Sequence, residues 1–315
     1  MINIKNNVAQ ESWPDFGNKD FYQPVVYGTK ENTFVLNPND HIRKITDHEE
    51  IPAFDKVSVI KLSEEFTDTT NFSFSVSFSS DSTALHYNSN VLYCQSFELT
   101  KKFLQNDLVD LEDWSIMVMH ELFHGYQRSF PEAHEYRKTF DIPGGPDQFL
   151  GSYHNDLEWY SESVRKENDL LKAIWIDGAD LTQNLTAYDS LRNLRIDKIK
   201  KEYGVDIRDA EDFEITIEGN ARYFESLVKR YLAKNEPNGE ALHKSDQALI
   251  TNMFDEYEVS KDKALFNIYN NRYWYPIGYN ISMILEKYEV DYKDSLYREE
   301  HNIHSFLEEL KSSKP

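Results

Sequence analysis

The chain has 315 residues, 40% of them hydrophobic and 14% aromatic, which is enough apolar material for one large domain or two closely associated ones. Its net charge of −21 repels phosphate backbones and anionic lipid, so nucleic acids and membrane surfaces are excluded as expected partners. The single cysteine, Cys94, excludes an intrachain disulfide and a cysteine-based zinc cluster. Any metal site must therefore use His, Asp or Glu ligands.

The N-terminal residues lack the apolar core of a signal peptide, and no segment is apolar for long enough to predict a membrane span. We therefore expect a soluble, cytoplasmic protein. A secreted protein whose signal peptide has been removed would have the same appearance. The oligomeric state stays open at this point.

Residues 20 to about 100 have the composition and alternation of β-strands. The clearest strand is 72–79, where phenylalanine or valine alternates with serine and places every large apolar group on one face. A turn is predicted at 80–82, and further strands at 57–62 and 91–94. We expect these strands to form an antiparallel sheet in an N-terminal β-rich subdomain, residues 1–105.

From about residue 106 the apolar residues recur with helical spacing. Asp110 or Asp113 is a candidate N-cap for a helix that runs to about Ser129 and is ended by Pro131. An irregular loop is predicted for 132–155, because this segment contains the sequence Pro-Gly-Gly-Pro at 143–146. Further helices are predicted at 156–176, 183–203, 212–234, 240–257, 277–288 and 302–311. The expected fold class is α+β, with the antiparallel sheet followed by a mainly helical catalytic domain, residues 106–315.

The strongest functional signal is His120-Glu121-Leu122-Phe123-His124. Two histidines four residues apart lie on the same face of a helix, so both imidazoles can bind one metal ion. Glu121 lies about 100° around the helix, where it can accept a proton from a zinc-activated water. The surrounding residues are apolar on every side, which predicts a buried helix. Burying two imidazoles and a carboxylate is costly unless a metal ion compensates them.

A catalytic zinc site needs a third protein ligand, and Glu218 is the leading candidate. It lies in a predicted helix with one apolar stripe, where the small Gly219 would let the helix approach the motif helix closely. A surface ion pair with Arg222, four residues later, is the alternative role for this glutamate. Glu158, on the next predicted helix after the motif, and His154, in the loop before it, are alternative ligands.

Three segments together resemble the gluzincin metallopeptidases, the HExxH zinc enzymes with a glutamate as third ligand. The His120–His124 motif resembles their metal-binding helix, and residues 218–223, Glu-Gly-Asn-Ala-Arg-Tyr, are similar to the EGxAxY form of their glutamate-bearing helix. Residues 273–278, Tyr-Trp-Tyr-Pro-Ile-Gly, are similar to the tyrosine–glycine–helix segment of the aminopeptidase-like members. The resemblance covers about residues 106–290.

This resemblance implies a zincin-like catalytic region with Zn²⁺ bound by His120, His124 and Glu218. It also implies Glu121 as the catalytic base and Tyr275 as a phenol that stabilises the oxyanion. The neighbouring Tyr273 and Tyr279, and Tyr223 after them, are alternatives for the tyrosine role. An edge strand within 55–100 would then hydrogen-bond an extended peptide.

The expected function is a zinc metallopeptidase, a hydrolase that cuts a peptide or protein substrate. A zinc hydrolase of a non-peptide ester, amide or epoxide would use the same residues in a different cleft. A non-catalytic binding module would use zinc only to join two helices, but such structural sites usually have four protein ligands. Glu121 therefore favours an enzyme, while the cleavage preference and endo- or exo-action stay open.

Overall fold

The computed structural model describes residues 2–18, 23–54, 57–63, 74–77, 88–104, 111–140, 142–235, 257–298 and 302–313. The ends of the predicted strand 72–79, the predicted turn 80–82, Asp110 and the predicted helix 240–257, except Tyr257, lie outside the described residues. The chain divides into two compact units. One comprises Met1–Ser129 and Leu227–Tyr257, and the other comprises Phe130–Ser226 and Glu258–Pro315. These units group the chain differently from a division at residue 105.

The first unit contains a six-stranded sheet. Its strands are β1 Val25–Gly28, β2 Thr33–Leu36, β3 His48–Phe54, β4 Val57–Leu62, β5 Phe74–Ser77 and β6 Val91–Gln95. Their order across the sheet is β3-β4-β2-β1-β6-β5. All neighbouring pairs are antiparallel except β1 and β6, which are parallel with Val25 opposite Leu92. The prediction of a wholly antiparallel sheet was wrong at this pair, because alternation within a strand does not determine the direction of a partner distant in sequence.

The first unit also contains helices. Those before residue 129 are α1 Ile2–Ser12, α2 Asp40–Ile45, α3 Phe97–Leu104 and α4 Leu111–Gln127. Helix α2 interrupts the region predicted to be strands, and it begins where the Asn39 side chain accepts a hydrogen bond from the Ile42 N–H at 2.8 Å. Helix α4 begins at Leu111, so Asp113 lies inside the helix and is not its cap. The apolar pattern of 20–100 did not reveal the short helix α2, because its start is marked by the polar Asn39 cap.

Helix α4 carries the HExxH motif and is held from two directions. It packs against β5 and β6 of the sheet. The rings of Trp13 and Phe16 meet the buried ring of Phe123 edge-on, at centroid distances of 4.8 Å and 5.3 Å. Such edge-to-face pairs add to the stabilisation from apolar burial. The N-terminal segment therefore fixes the motif helix inside its unit.

The second unit is helical. Its helices are α5 Pro131–Arg137, α6 Pro146–Asp156, α7 Glu158–Lys172, α8 Leu181–Tyr203, α9 Arg208–Asn235, α10 Lys263–Phe266, α11 Trp274–Lys287 and α12 Ile303–Ser313. The last residues of α9 belong to the first unit. The predicted α7, α8, α9, α11 and α12 are confirmed to within a few residues. The loop predicted at 132–155 was wrong at both ends, because Pro131 and Pro146 each begin a helix at its first position, where proline is well tolerated. The described residues between these two helices are not helical, as predicted. No helix in the described part of the chain is long and apolar enough to cross a membrane.

Helices α9 and α11 meet at two glycines. A Cβ on Gly219 would lie 2.3 Å from the Gly278 Cα, and a Cβ on Gly278 would lie 2.1 Å from the Ile215 carbonyl oxygen. The close approach predicted for Gly219 is therefore made with α11, whereas the sequence suggested the motif helix. Glu218 precedes one glycine and Tyr275 lies three residues before the other, so this crossing brings their side chains together.

The core of the second unit contains a buried ion network. Arg195 donates to Glu167 at 2.7 Å and 2.8 Å and to Glu211 at 2.7 Å, while Arg192 pairs with Glu211 and Asp212. All five side chains are buried. The network ties α7, α8 and α9 to one another, and sequence periodicity gave no indication of it.

Candidate metal centre

His120 and His124 project from the same face of α4, as their spacing predicts. Their ring centroids are 4.5 Å apart and the rings meet at 88°. Both side chains are buried, with 7% and 4% of their surfaces exposed. Because the backbone of a regular helix fixes this separation, the pair needs no long-range contact to form.

A second residue of α4 orients His124. The Nδ1 atom of His124 lies 2.7 Å from the Oε1 atom of the fully buried Gln127. An amide oxygen only accepts hydrogen bonds, so Nδ1 of His124 is the donor in this pair. This leaves Nε2 as the nitrogen that can bind a metal ion, in the arrangement typical of metal-ligating histidines. Sequence reasoning missed Gln127, although its position three residues after His124 was the available signal.

Glu121 lies close to β6. Burial, and then the negative charge of Glu121, raises the pKa of the Cys94 thiol well above its usual range. This coupling places the Glu121 carboxylate near the strand that carries Cys94. The glutamate is partly exposed, whereas the two histidines beside it are buried. Water can therefore reach the Glu121 carboxylate.

Glu218, on α9, accepts a hydrogen bond from the phenol of Tyr275 in the first turn of α11. Burial, followed by the charge of Glu218 and this hydrogen bond, raises the pKa of Tyr275 well above its usual range. Tyr275 therefore stays protonated and acts as a donor at any ordinary pH. Glu218 and Tyr275 are both partly exposed, so a bound molecule can reach them.

His120, His124 and Glu218 are side chains that could hold a metal ion. Their ligand atoms all lie within 4.8 Å of one another. Among the described residues, this is the group of at least three His, Cys, Asp or Glu side chains that lie close enough to share a metal ion. Tetrahedral zinc with bonds of about 2.1 Å has its ligand atoms about 3.4 Å apart. Two imidazoles and one carboxylate are donors that suit zinc.

The alternative ligands do not belong to this group. Glu158 is exposed at the start of α7. The ring of His154 stacks on the ring of Tyr273 at a centroid distance of 5.7 Å. Arg222, considered as the ion-pair partner of Glu218, donates to the Ala264 carbonyl at 3.3 Å.

The alternative tyrosines have other surroundings. Tyr273 is fully buried and donates to Glu211 at 2.6 Å, within the ion network. Tyr279 and Tyr223 are also buried. Of the four tyrosines considered, Tyr275 is the one that is partly exposed and hydrogen-bonded to Glu218.

No protein-family model, curated protein or solved structure matches this chain. The resemblance to the gluzincins therefore stays a prediction from the three sequence motifs.

Proposed function

We propose that the protein is a zinc-dependent metallopeptidase in which His120, His124 and Glu218 hold the metal ion. The observation that carries the proposal is the proximity of these ligand atoms, all within 4.8 Å of one another. Three protein ligands of this kind are typical of catalytic zinc, whereas structural zinc usually has four. Bound zinc would supply a Lewis acid that polarises a carbonyl and lowers the pKa of water.

Glu121 is the general base in this proposal. It follows His120 directly and is partly exposed, while the imidazoles on either side are buried. Its carboxylate would take a proton from the attacking water and then deliver that proton to the leaving amine. This transfer needs a group that is close to the metal ligands but is not itself a ligand, and Glu121 meets both conditions.

Tyr275 has two roles in the proposal. Its hydrogen bond orients the Glu218 carboxylate, as partners of metal ligands commonly do. As a neutral phenol, it would also donate to the oxygen of the scissile carbonyl as negative charge develops there.

A peptide substrate is favoured by the position of β5. This strand lies at one end of the strand order and packs against the motif helix. An edge strand offers backbone groups to which an extended peptide can add by hydrogen bonding. A small ester or epoxide has no use for such an edge, which is why the peptidase is proposed ahead of the other zinc hydrolases.

Metal analysis and a peptide-library digest test the proposal together. Protein purified without added metal should contain close to one zinc ion per chain, and His120→Ala, His124→Ala and Glu218→Ala should lose it. Glu121→Gln should keep the zinc and lose cleavage, because an amide cannot accept the proton. Glu132→Gln, at an exposed position on α5, is the matched control and should retain both.

Each outcome has a distinct meaning. Zinc retained in both histidine variants would end the metal-site proposal. Cleavage by Glu121→Gln at the wild-type rate would show that Glu121 is not the base. A zinc-loaded protein that cuts no peptide would point instead to an ester, amide or epoxide substrate, or to a binding module.

A further inference from the structure

Two arginines of the second unit lie beside the Glu218–Tyr275 pair. Arg222 follows Glu218 by one turn of α9, and its guanidinium lies 5.1 Å from the centre of the Tyr275 ring. Arg272 lies just before α11. The charges of both guanidiniums act on the Tyr275 phenol, and Arg272 also interacts with Glu218.

The two arginines differ in how their charges are neutralised. Arg272 is held by Asp147 through two parallel hydrogen bonds of 2.9 Å and 2.6 Å. Arg222, in contrast, donates at 3.3 Å to the backbone carbonyl of Ala264. Its buried Nε atom has no hydrogen-bond partner among the residues that the structure describes.

The Nε of Arg222 lacks a partner within the described part of the chain, although the chain is strongly acidic. There are 55 Asp and Glu residues and 34 Lys and Arg residues, so carboxylates are abundant. Glu218, four residues before Arg222, is well placed on the helix for an ion pair and accepts from Tyr275. A guanidinium that is partly desolvated and incompletely hydrogen-bonded is costly in the free protein, and a ligand that supplies a carboxylate would recover that cost.

We propose that Arg222 is a specificity-determining residue that binds a carboxylate of the peptide substrate close to the scissile bond. The planar guanidinium presents donors in a fork that matches the two oxygens of a carboxylate. Arg272 stays paired with Asp147, so Arg222 is the arginine left to bind the carboxylate. The preferred substrates are therefore peptides with an acidic residue, or a free C-terminus, near the cleaved bond. This inference rests on the proposed peptidase function.

The test uses matched fluorogenic peptides in four forms. In the first pair, one peptide has glutamate and the other glutamine beside the cleaved bond, and both have an amidated C-terminus. In the second pair, both peptides are neutral and end close to the cleaved bond, one with a free and the other with an amidated carboxyl group. The ratio of kcat/KM within each pair is measured for the wild type, Arg222→Gln and Arg222→Lys. Arg165→Gln, which removes the same charge from an exposed position on α7, is the control. Binding of the same peptides to metal-free protein by fluorescence anisotropy is a readout that does not need turnover.

We expect the wild type and the control to prefer the carboxylate member of at least one pair by about tenfold or more, in kcat/KM and in affinity. Arg222→Gln should bring the ratio close to one, and Arg222→Lys should restore it partly because lysine keeps the charge but not the fork. The responding pair identifies the carboxylate as a side chain or a C-terminus. Equal ratios in the wild type and Arg222→Gln, with peptides still cut, would overturn this inference alone. Failure of the zinc-loaded wild type to cut any peptide would overturn the proposed function and this inference with it.

Discussion

At the scale of single residues, two of the candidate ligands are oriented by a neighbouring side chain. Gln127 accepts from His124 at 2.7 Å, and Tyr275 donates to Glu218. Each hydrogen bond restricts the rotation of the ligand side chain before a metal ion arrives. If the proposed metal site is correct, less conformational freedom would be lost on binding and the affinity for the ion would be higher.

Replacing Gln127 with methionine should weaken metal binding. Methionine has a similar length but cannot accept the Nδ1 proton of His124 in the same way, so the imidazole loses its fixed tautomer and orientation. We expect the zinc affinity to fall by about 10–100-fold, measured by competition with a chromophoric chelator. Ser129→Ala is the control, since the Ser129 hydroxyl bonds the Tyr126 carbonyl at the end of the same helix. An unchanged affinity in Gln127→Met would show that His124 does not depend on this hydrogen bond.

Lys5, in the first unit, makes the free energy of unfolding depend on pH. Its amine is buried, donates to the Phe16 carbonyl at 2.8 Å, and has its pKa lowered by burial from 10.5 to about 7. Between pH 7 and 10.5 the unfolded chain therefore binds more protons at this group than the folded chain does. The contribution of Lys5 to the free energy of unfolding therefore rises with pH between these two values.

Denaturant unfolding of the wild type and Lys5→Met at pH 7 and pH 9.5 measures this effect. The difference between the two proteins removes the contribution of all other titrating groups. We expect the free energy of unfolding of the wild type to gain roughly 1–3 kcal/mol more than that of the variant between the two pH values. Parallel pH profiles would mean that Lys5 keeps an ordinary pKa in the folded protein.

At the scale of secondary-structure elements, proline and glycine determine how helices begin and how closely they pack. Pro131 and Pro146 begin α5 and α6 in a region where the sequence predicted a loop. Gly219 and Gly278 let α9 and α11 touch through their backbones. This contact is relevant to the candidate site, because Glu218 and Tyr275 are carried by the two helices that meet there.

A methyl group at this crossing should be strongly destabilising. In Gly219→Ala the new Cβ would lie 2.3 Å from the Gly278 Cα, and a backbone atom cannot move aside as a flexible side chain can. We expect a loss of about 1–3 kcal/mol in the free energy of unfolding, together with weaker zinc binding because Glu218 is displaced. Gly28→Ala is the control, since its Cβ would meet nothing within 4 Å. Equal stability of the two variants would contradict the helix contact.

At the scale of the whole molecule, the chain combines a net charge of −21 with buried cations in its second unit. Arg192 and Arg195 are surrounded by Glu167, Glu211 and Asp212, and these pairs are largely out of contact with water. Burial raises the pKa of the Glu211 carboxyl, but the two arginines oppose this more strongly and hold it well below its usual range. Tyr273, which begins the segment leading into α11, is bonded to the same carboxylate at 2.6 Å.

Removal of one cation from this network should leave buried carboxylates without partners. Arg195→Met is therefore expected to lower the free energy of unfolding by about 3–5 kcal/mol, measured by denaturant titration at pH 7. Lys138→Gln is the control, because its ion pair with Glu135 is exposed to solvent and its loss should change stability little. A small effect of Arg195→Met would indicate that water or a neighbouring group compensates the carboxylates.

The sequence by itself determined the features that depend on local repetition. A spacing of four residues puts His120 and His124 on one helix face whatever surrounds them, because the helical period is fixed by backbone hydrogen bonds. The same periodicity predicted α7, α8, α9, α11 and α12. Alternation predicted the strand that contains β5, and β4 and β6 were predicted as further strands. The α+β class follows from these elements, since strands precede most of the helices along the chain.

Only the tertiary structure decided which distant residues meet. Glu218 lies 94 positions after His124, and Tyr275 a further 57 after Glu218, so no periodic pattern connects them. The parallel pairing of β1 with β6, the contact of Gly219 with Gly278 and the burial of Arg195 among carboxylates are of the same kind. Each depends on packing between elements far apart in sequence. A glycine, glutamate or arginine can contact many different residues, and only the packing of the folded chain determines which one it meets.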